Sequence, residues 1–90
     1  MELKDTVKQM TSDDYKERFK AEYYQLKIRY EKLKAFNTKI EAADRTHNTA
    51  TMPKHDCPHN LLIEQQHLMG QLLHVLEVRA GIEGITLEEV

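Results

Sequence analysis

The stretch YKERFKAEYYQLKIRYEKLKAFNTKI, residues 15–40, decides the fold. Apolar or aromatic side chains stand at Tyr15, Phe19, Tyr23, Leu26, Tyr30, Leu33, then Phe36 or Asn37, and Ile40. The steps are four, four, three, four, three, then three or four, the spacing of one stripe along an α-helix. Phe19, Leu26, Leu33 and Ile40 repeat every seven residues, good helix formers fill the gaps, and Gly and Pro are absent from Thr11 to Met52. Just upstream, Thr11-Ser12-Asp13-Asp14 offers hydroxyls and carboxylates to cap free N–H groups, and the acids suit the positive end of the helix dipole. One helix from about Ser12 to Ala43 is expected, roughly 45 Å long at 1.5 Å per residue. Residues 1–11 carry no strong period and read as a flexible or short helical leader.

Beyond that helix the period is lost over DRTHNTATMPKHD, residues 44–56, which reads as a loop. Asp56-Cys57-Pro58 then reads as a second start, with Pro tolerated in a first turn because its missing N–H is not needed there. The second helix, about 57–82, carries Leu61, Leu62, Leu68, Met69, Leu72, Leu73, Val75, Leu76 and Val78, an arc wider than a two-stranded seam requires. Gly70 interrupts the arc at about 1 kcal/mol relative to Ala, and a second backbone coming close would explain it. Gly81 and Gly84 are expected to end the helix, and Ile85-Thr86-Leu87 alternates like a short strand or an extended docking segment. The fold class expected is all-α: a two-helix antiparallel hairpin spanning residues 12–90, assembling with other copies into an oligomeric helical bundle. Two helices cannot cover so broad an arc on each other, and monomers rarely leave a large apolar patch exposed.

Composition agrees. The chain has 90 residues, 40% hydrophobic and 31% charged, without Trp and with a formal net charge of -2, so nothing global selects DNA, RNA or an anionic membrane. Charge is unevenly divided. Ser12 to Ile40 holds eight Lys/Arg against five acids, whereas Cys57 to Val90 holds Arg79 alone against five. A basic helix beside an acidic one favours antiparallel pairing, although exposed charges contribute little each. A single cysteine, Cys57, excludes an internal disulfide, and MELKDTVKQM lacks the apolar run of a signal peptide. No stretch approaches the length of a membrane span. A cytoplasmic protein is expected.

Few residues offer catalysis. No Ser/His/Asp or Cys/His constellation and no Gly-rich phosphate loop stands out, so no enzyme and no cofactor is expected. His55, Cys57 and His59, with His47 nearby, form the most metal-like cluster, but the alternating spacing departs from the usual paired ligands and no second Cys exists. No metal site is assigned. His67 and His74 lie seven apart on one face and could titrate near neutral pH, or simply partner nearby Gln and Glu. Tyr15, Tyr23, Tyr24 and Tyr30 lie among Arg18, Lys27 and Lys34 at helical spacings. Rings that stack bases beside cations that meet phosphates make a nucleotide site, while tyrosines on a stripe also serve as bundle core with their hydroxyls at the rim. Arg79, the lone Lys or Arg of the acidic helix, suits either a buried ion pair with an acid of the first helix or a phosphate clamp at an interface between copies.

The segments DYKERFKAEYYQLKIRYEKLKAF (14–36) and CPHNLLIEQQHLMGQLLHVLEVRAGIEGI (57–85) resemble short helical-hairpin proteins of phages and prophages, relatives of a small crAss-like-phage protein. The shared pattern is a basic, aromatic first helix, then a second helix with a Gln (Gln65 or Gln66), a Met (Met69) and a late Leu-x-x-Arg (Leu76, Arg79). In architecture the chain is also similar to phage anti-CBASS sponge proteins. That likeness implies a homo-oligomer binding a cyclic di- or trinucleotide between protomers, so blunting host immune signalling without catalysis. The ligand-binding set expected on this reading is Tyr15, Arg18, Lys27, Tyr30 and Arg79. The alternatives are an inhibitor that offers a helical face to a host defence protein, as anti-CRISPR proteins do, and a structural or assembly adaptor.

Overall fold

A computed structural model describes residues 1–88, and these are all-helical with no strand among them. A 3₁₀ turn, Leu3–Thr6, runs into one α-helical turn, α1 (Val7–Met10). Helix α2 (Tyr15–Arg45) and helix α3 (His59–Glu83) follow, with a second 3₁₀ turn, Thr49–Thr51, in their connection. Principal extents of 49 × 25 × 20 Å reflect the length of α2.

Local chemistry shifts each helix end from its expected place. Helix α2 starts at Tyr15 rather than Ser12 because Asp14 is the cap: its backbone is extended and its Oδ1 accepts from Lys16 N–H at 2.9 Å. Ser12 serves the preceding corner instead. Its N–H donates to Gln9 O at 3.1 Å, and its Oγ accepts from Asp14 N–H at 3.1 Å. At the far end α2 runs past Ala43 to Arg45, where Arg45 pairs with Glu41 at 3.0 Å. Helix α3 begins at His59, two residues later than expected. Pro58 does not enter its first turn, because ψ of 141° holds it outside as the cap. The helix passes through Gly81 and stops at Gly84, whose φ of 71° is the left-handed geometry that favours glycine. Ile85 N–H then donates to Ala80 O at 2.9 Å, closing the end.

Low-numbered residues of α2 meet high-numbered residues of α3, so the two helices run antiparallel. Tyr15 reaches Glu83, Tyr23 Oη donates to Glu77 Oε2 at 2.8 Å, and Asn37 meets Leu62 and Gln66. Phe19, Tyr23 and Tyr24 pack with Leu73, Leu76, Ala80 and Ile85 in the main core. At the stripe position open to Phe36 or Asn37, Asn37 is the buried one. Its Nδ2 donates to Leu62 O at 3.2 Å and to Gln66 Oε1 at 2.9 Å. Sliding α3 along α2 would strand that buried amide, which sets the register. Gly70 does make room for a close neighbour, but the neighbour is a side chain: a Cβ there would stand 3.2 Å from Tyr30 Cε1.

The segments at both ends of the described chain pack on α2. Residues 3–10 are helical and lie on the face of α2 that carries Glu17, Ala21, Gln25 and Ile28. Thr6 is 0% exposed, donates to Leu3 O at 2.7 Å and accepts from Gln25 Nε2 at 2.9 Å. Ile85-Thr86-Leu87 forms the extended docking segment rather than a strand, with Ile85 buried and Glu88 N–H donating to Tyr24 Oη at 3.1 Å. Truncating Leu76 to Ala should lower stability by about 2–5 kcal/mol, since this side chain sits in the core between both helices and the tail. Urea unfolding followed by circular dichroism measures it; a loss well under about 1 kcal/mol would contradict that placement.

Candidate ligand-binding site

The four tyrosines divide by position around α2. Tyr23 and Tyr24 belong to the core and stand edge to face, ring centroids 6.0 Å apart. Burial first, then the bond to Glu77, pushes the Tyr23 hydroxyl up to about 12. Tyr15 is 49% exposed, and Tyr30 is half-buried against Gly70. The rim therefore presents two aromatic faces, and each has a cation beside it.

The first place lies where α2 begins and α3 ends. The Glu83 carboxylate joins the two helices: its Oε1 accepts from Tyr15 Oη at 3.3 Å and its Oε2 from Arg79 Nε at 2.9 Å. The Arg79 guanidinium lies 4.9 Å from the centre of the Phe19 ring, a cation–π contact with 48% of the side chain still exposed. The Arg79 bond holds the Glu83 carboxyl below its ordinary value, and the same bond raises Arg79. Partial burial and then the Glu83 charge raise the Tyr15 hydroxyl. Arg18, on the next turn of α2, is occupied locally: its Nη1 donates to Ser12 O at 2.7 Å and fastens the corner before the helix. This end of the molecule holds Tyr15, Arg18 and Arg79.

The second place is midway along the pair. Lys27 Nζ is 6.0 Å from the centre of the Tyr30 ring and 3.3 Å from Glu31 Oε1. An open groove beside it is lined by Tyr30, Gln66, His67, Gly70, His74 and Val75. Fifteen residues of helix, about 22 Å, separate Tyr15 from Tyr30, so one protomer does not gather all five expected residues around one small ligand. No sequence pattern links Glu83 to Tyr15, because their bond exists only once α3 folds back on α2.

His47, His55, Cys57 and His59 do not converge; among the described residues no group of three or more His, Cys, Asp or Glu is placed to hold a metal ion. His55 Nδ1 lies 2.8 Å from Pro53 O with its ring edge-on to Phe36, His47 is an exposed turn residue with φ of 53°, and the Cys57 thiol is exposed. Among the described residues no helix is long and apolar enough to cross a membrane.

Small size and described residues that fold only into helices and turns define a small all-helical protein. The chain belongs to the Sequestin family, whose model matches residues 13–82, a span that includes Tyr15, Arg18, Lys27, Tyr30 and Arg79. The family's name denotes sequestering, a binding role rather than catalysis. No curated protein and no solved structure matches the chain.

Two titrations check the site's electrostatics. Glu83 should titrate below the ordinary 4.5 by carboxyl-resolved NMR, and Arg79→Met should move it upward. Because the folded value is lowered, the stability this group contributes is present above 4.5 and lost as pH falls through the lowered value. Tyr23 has the opposite sign. Its contribution is complete below pH 10 and lost as pH rises toward about 12, so ultraviolet titration should show one tyrosine ionising there, and earlier in Glu77→Gln.

Proposed function

We propose that this chain is a phage-encoded anti-defence protein that binds a cyclic di- or trinucleotide immune signal and holds it without turnover. In this reading the α2–α3 hairpins associate into a homo-oligomer in the host cytoplasm, and the ligand is held between protomers. The observation that carries it is the exposed Tyr15–Arg79 pair at the rim of a chain whose family is named for sequestering. Tyr15 supplies a face on which a base can stack, and Arg79 supplies a planar fork of donors suited to a phosphate. Glu83 stands where that phosphate would bind, since its carboxylate already accepts from both Tyr15 and Arg79. Arg18, one turn from Tyr15, and Lys27 beside Tyr30 add cations, and a second protomer is what allows the separated places to face one ligand. The acidic character of the second helix supports a second reading, an inhibitor that docks on a host defence protein; a structural adaptor is the third.

Calorimetric titration with cyclic di- and trinucleotides tests this. Tyr15→Ala and Arg79→Ala should each weaken binding by about tenfold or more, in line with roughly 1–3 kcal/mol for a lost stacking partner. Glu83→Gln should tighten it, because a carboxylate competing with the phosphate is removed. The nucleotide should be recovered chemically intact after the protein is denatured. Absence of heat with every nucleotide at tens of micromolar protein, or recovery of a cleaved product, would overturn the reading.

A further inference from the structure

Helix α3 turns Leu73, Leu76 and Ala80 toward α2 and leaves a second apolar row without a partner. That row is Leu61, Leu68, Val75 and Ile82, one residue every seven, exposed by 51%, 58%, 51% and 79%. Leu72 adjoins it at 44%. A repeat of seven along a straight apolar seam is the pattern by which one helix packs lengthwise on another. Single exposed leucines are ordinary; a continuous row of this length on a small monomer is not.

We infer that the row is an interface with a second copy of this chain, the two α3 helices packing antiparallel about a two-fold axis between Gln71 and Leu72. The row is symmetric about that point: Leu61 falls opposite Ile82 of the second copy and Leu68 opposite Val75. The same axis sets Glu64 opposite Arg79, so a carboxylate that makes no ion pair among the described residues meets the only base of α3. A parallel pair would place Glu64 against Glu64 and Arg79 against Arg79. Isologous packing of this kind makes the patch its own complement, and it closes after two chains. It also brings Arg79 of each copy, and Tyr15 with it, to the edge of the interface. The inference rests on the oligomer of the proposed function and names its surface.

The native Cys57 thiol is exposed just before α3, which allows a direct measurement on the full chain. With a nitroxide on Cys57, pulsed electron paramagnetic resonance should give a separation on the order of 40 Å for the antiparallel pair, from the helical rise of about 1.5 Å per residue. A parallel pair would bring the labels within about 20 Å, given interaxial distances near 10 Å. Sedimentation should show an even number of chains, and Leu68→Glu, at an exposed position, should yield single chains with an unchanged helical circular dichroism spectrum. Glu64→Arg should weaken association about fivefold, and adding Arg79→Glu should restore it. Single chains in the unsubstituted protein, a Leu68→Glu variant that stays associated, or a short label separation would each overturn the inference. A pair with the expected separation that binds no nucleotide would overturn the proposed function and leave this interface standing.

Discussion

Helix α2 has to hide apolar side chains on two of its faces, and a single partner helix covers only one. Phe19 and Tyr23 turn to α3, while Ala21 and Ile28 turn away from it and are buried as well. The second face is closed by the chain's first ten residues. Thr6 is the means: with no exposed surface, its hydroxyl must be satisfied internally, and Leu3 O and Gln25 provide the partners. A segment without any apolar period of its own is thereby held on α2 through Gln25, which donates to Thr6 Oγ1 and to Met10 Sδ, and through Gln9, which donates to Glu17. The tail follows the same logic at the other end, where Ile85 fills the core and Tyr24 Oη accepts from Glu88 N–H.

Tyrosine serves both halves of this arrangement. Its ring fills space between helices and its hydroxyl reaches a polar group at the edge, so the core tyrosines tie α2 to α3 and to the tail. At the start of α2 the same residue type, Tyr15, is left with an open ring. Tyr15 keeps its place through Glu83, which also positions Arg79. A carboxylate that accepts from a phenol and a guanidinium at once fixes all three side chains at this corner.

Sequestration makes modest demands on chemistry and strong ones on geometry. A protein that only holds its ligand breaks no bond, and so requires no acid, base or nucleophile. What sequestration requires is enclosure of the ligand, which on the proposed reading takes more than one copy of the chain. On the proposed reading, the unpartnered row on α3 and the separated groups at Tyr15 and Tyr30 are two aspects of that requirement.

The all-helical class, the stripe from Tyr15 to Ile40, the loop after it and the apolar excess of the second helix were legible in residue order alone, because helical periodicity is a property of neighbours along the chain. Helix ends were read one to three residues away from where they fall, since Asp14 rather than Ser12 wins the cap and Pro58 stays outside its helix. The choice of Asn37 over Phe36, the ring beside Gly70 and the burial of Thr6 belong to no local pattern. Each depends on residues distant in sequence that meet only after α2 is covered on both faces, and so does the division of four similar tyrosines into two that hold the core and two that face outward. Periodicity states which side chains share a face; only packing decides what that face meets.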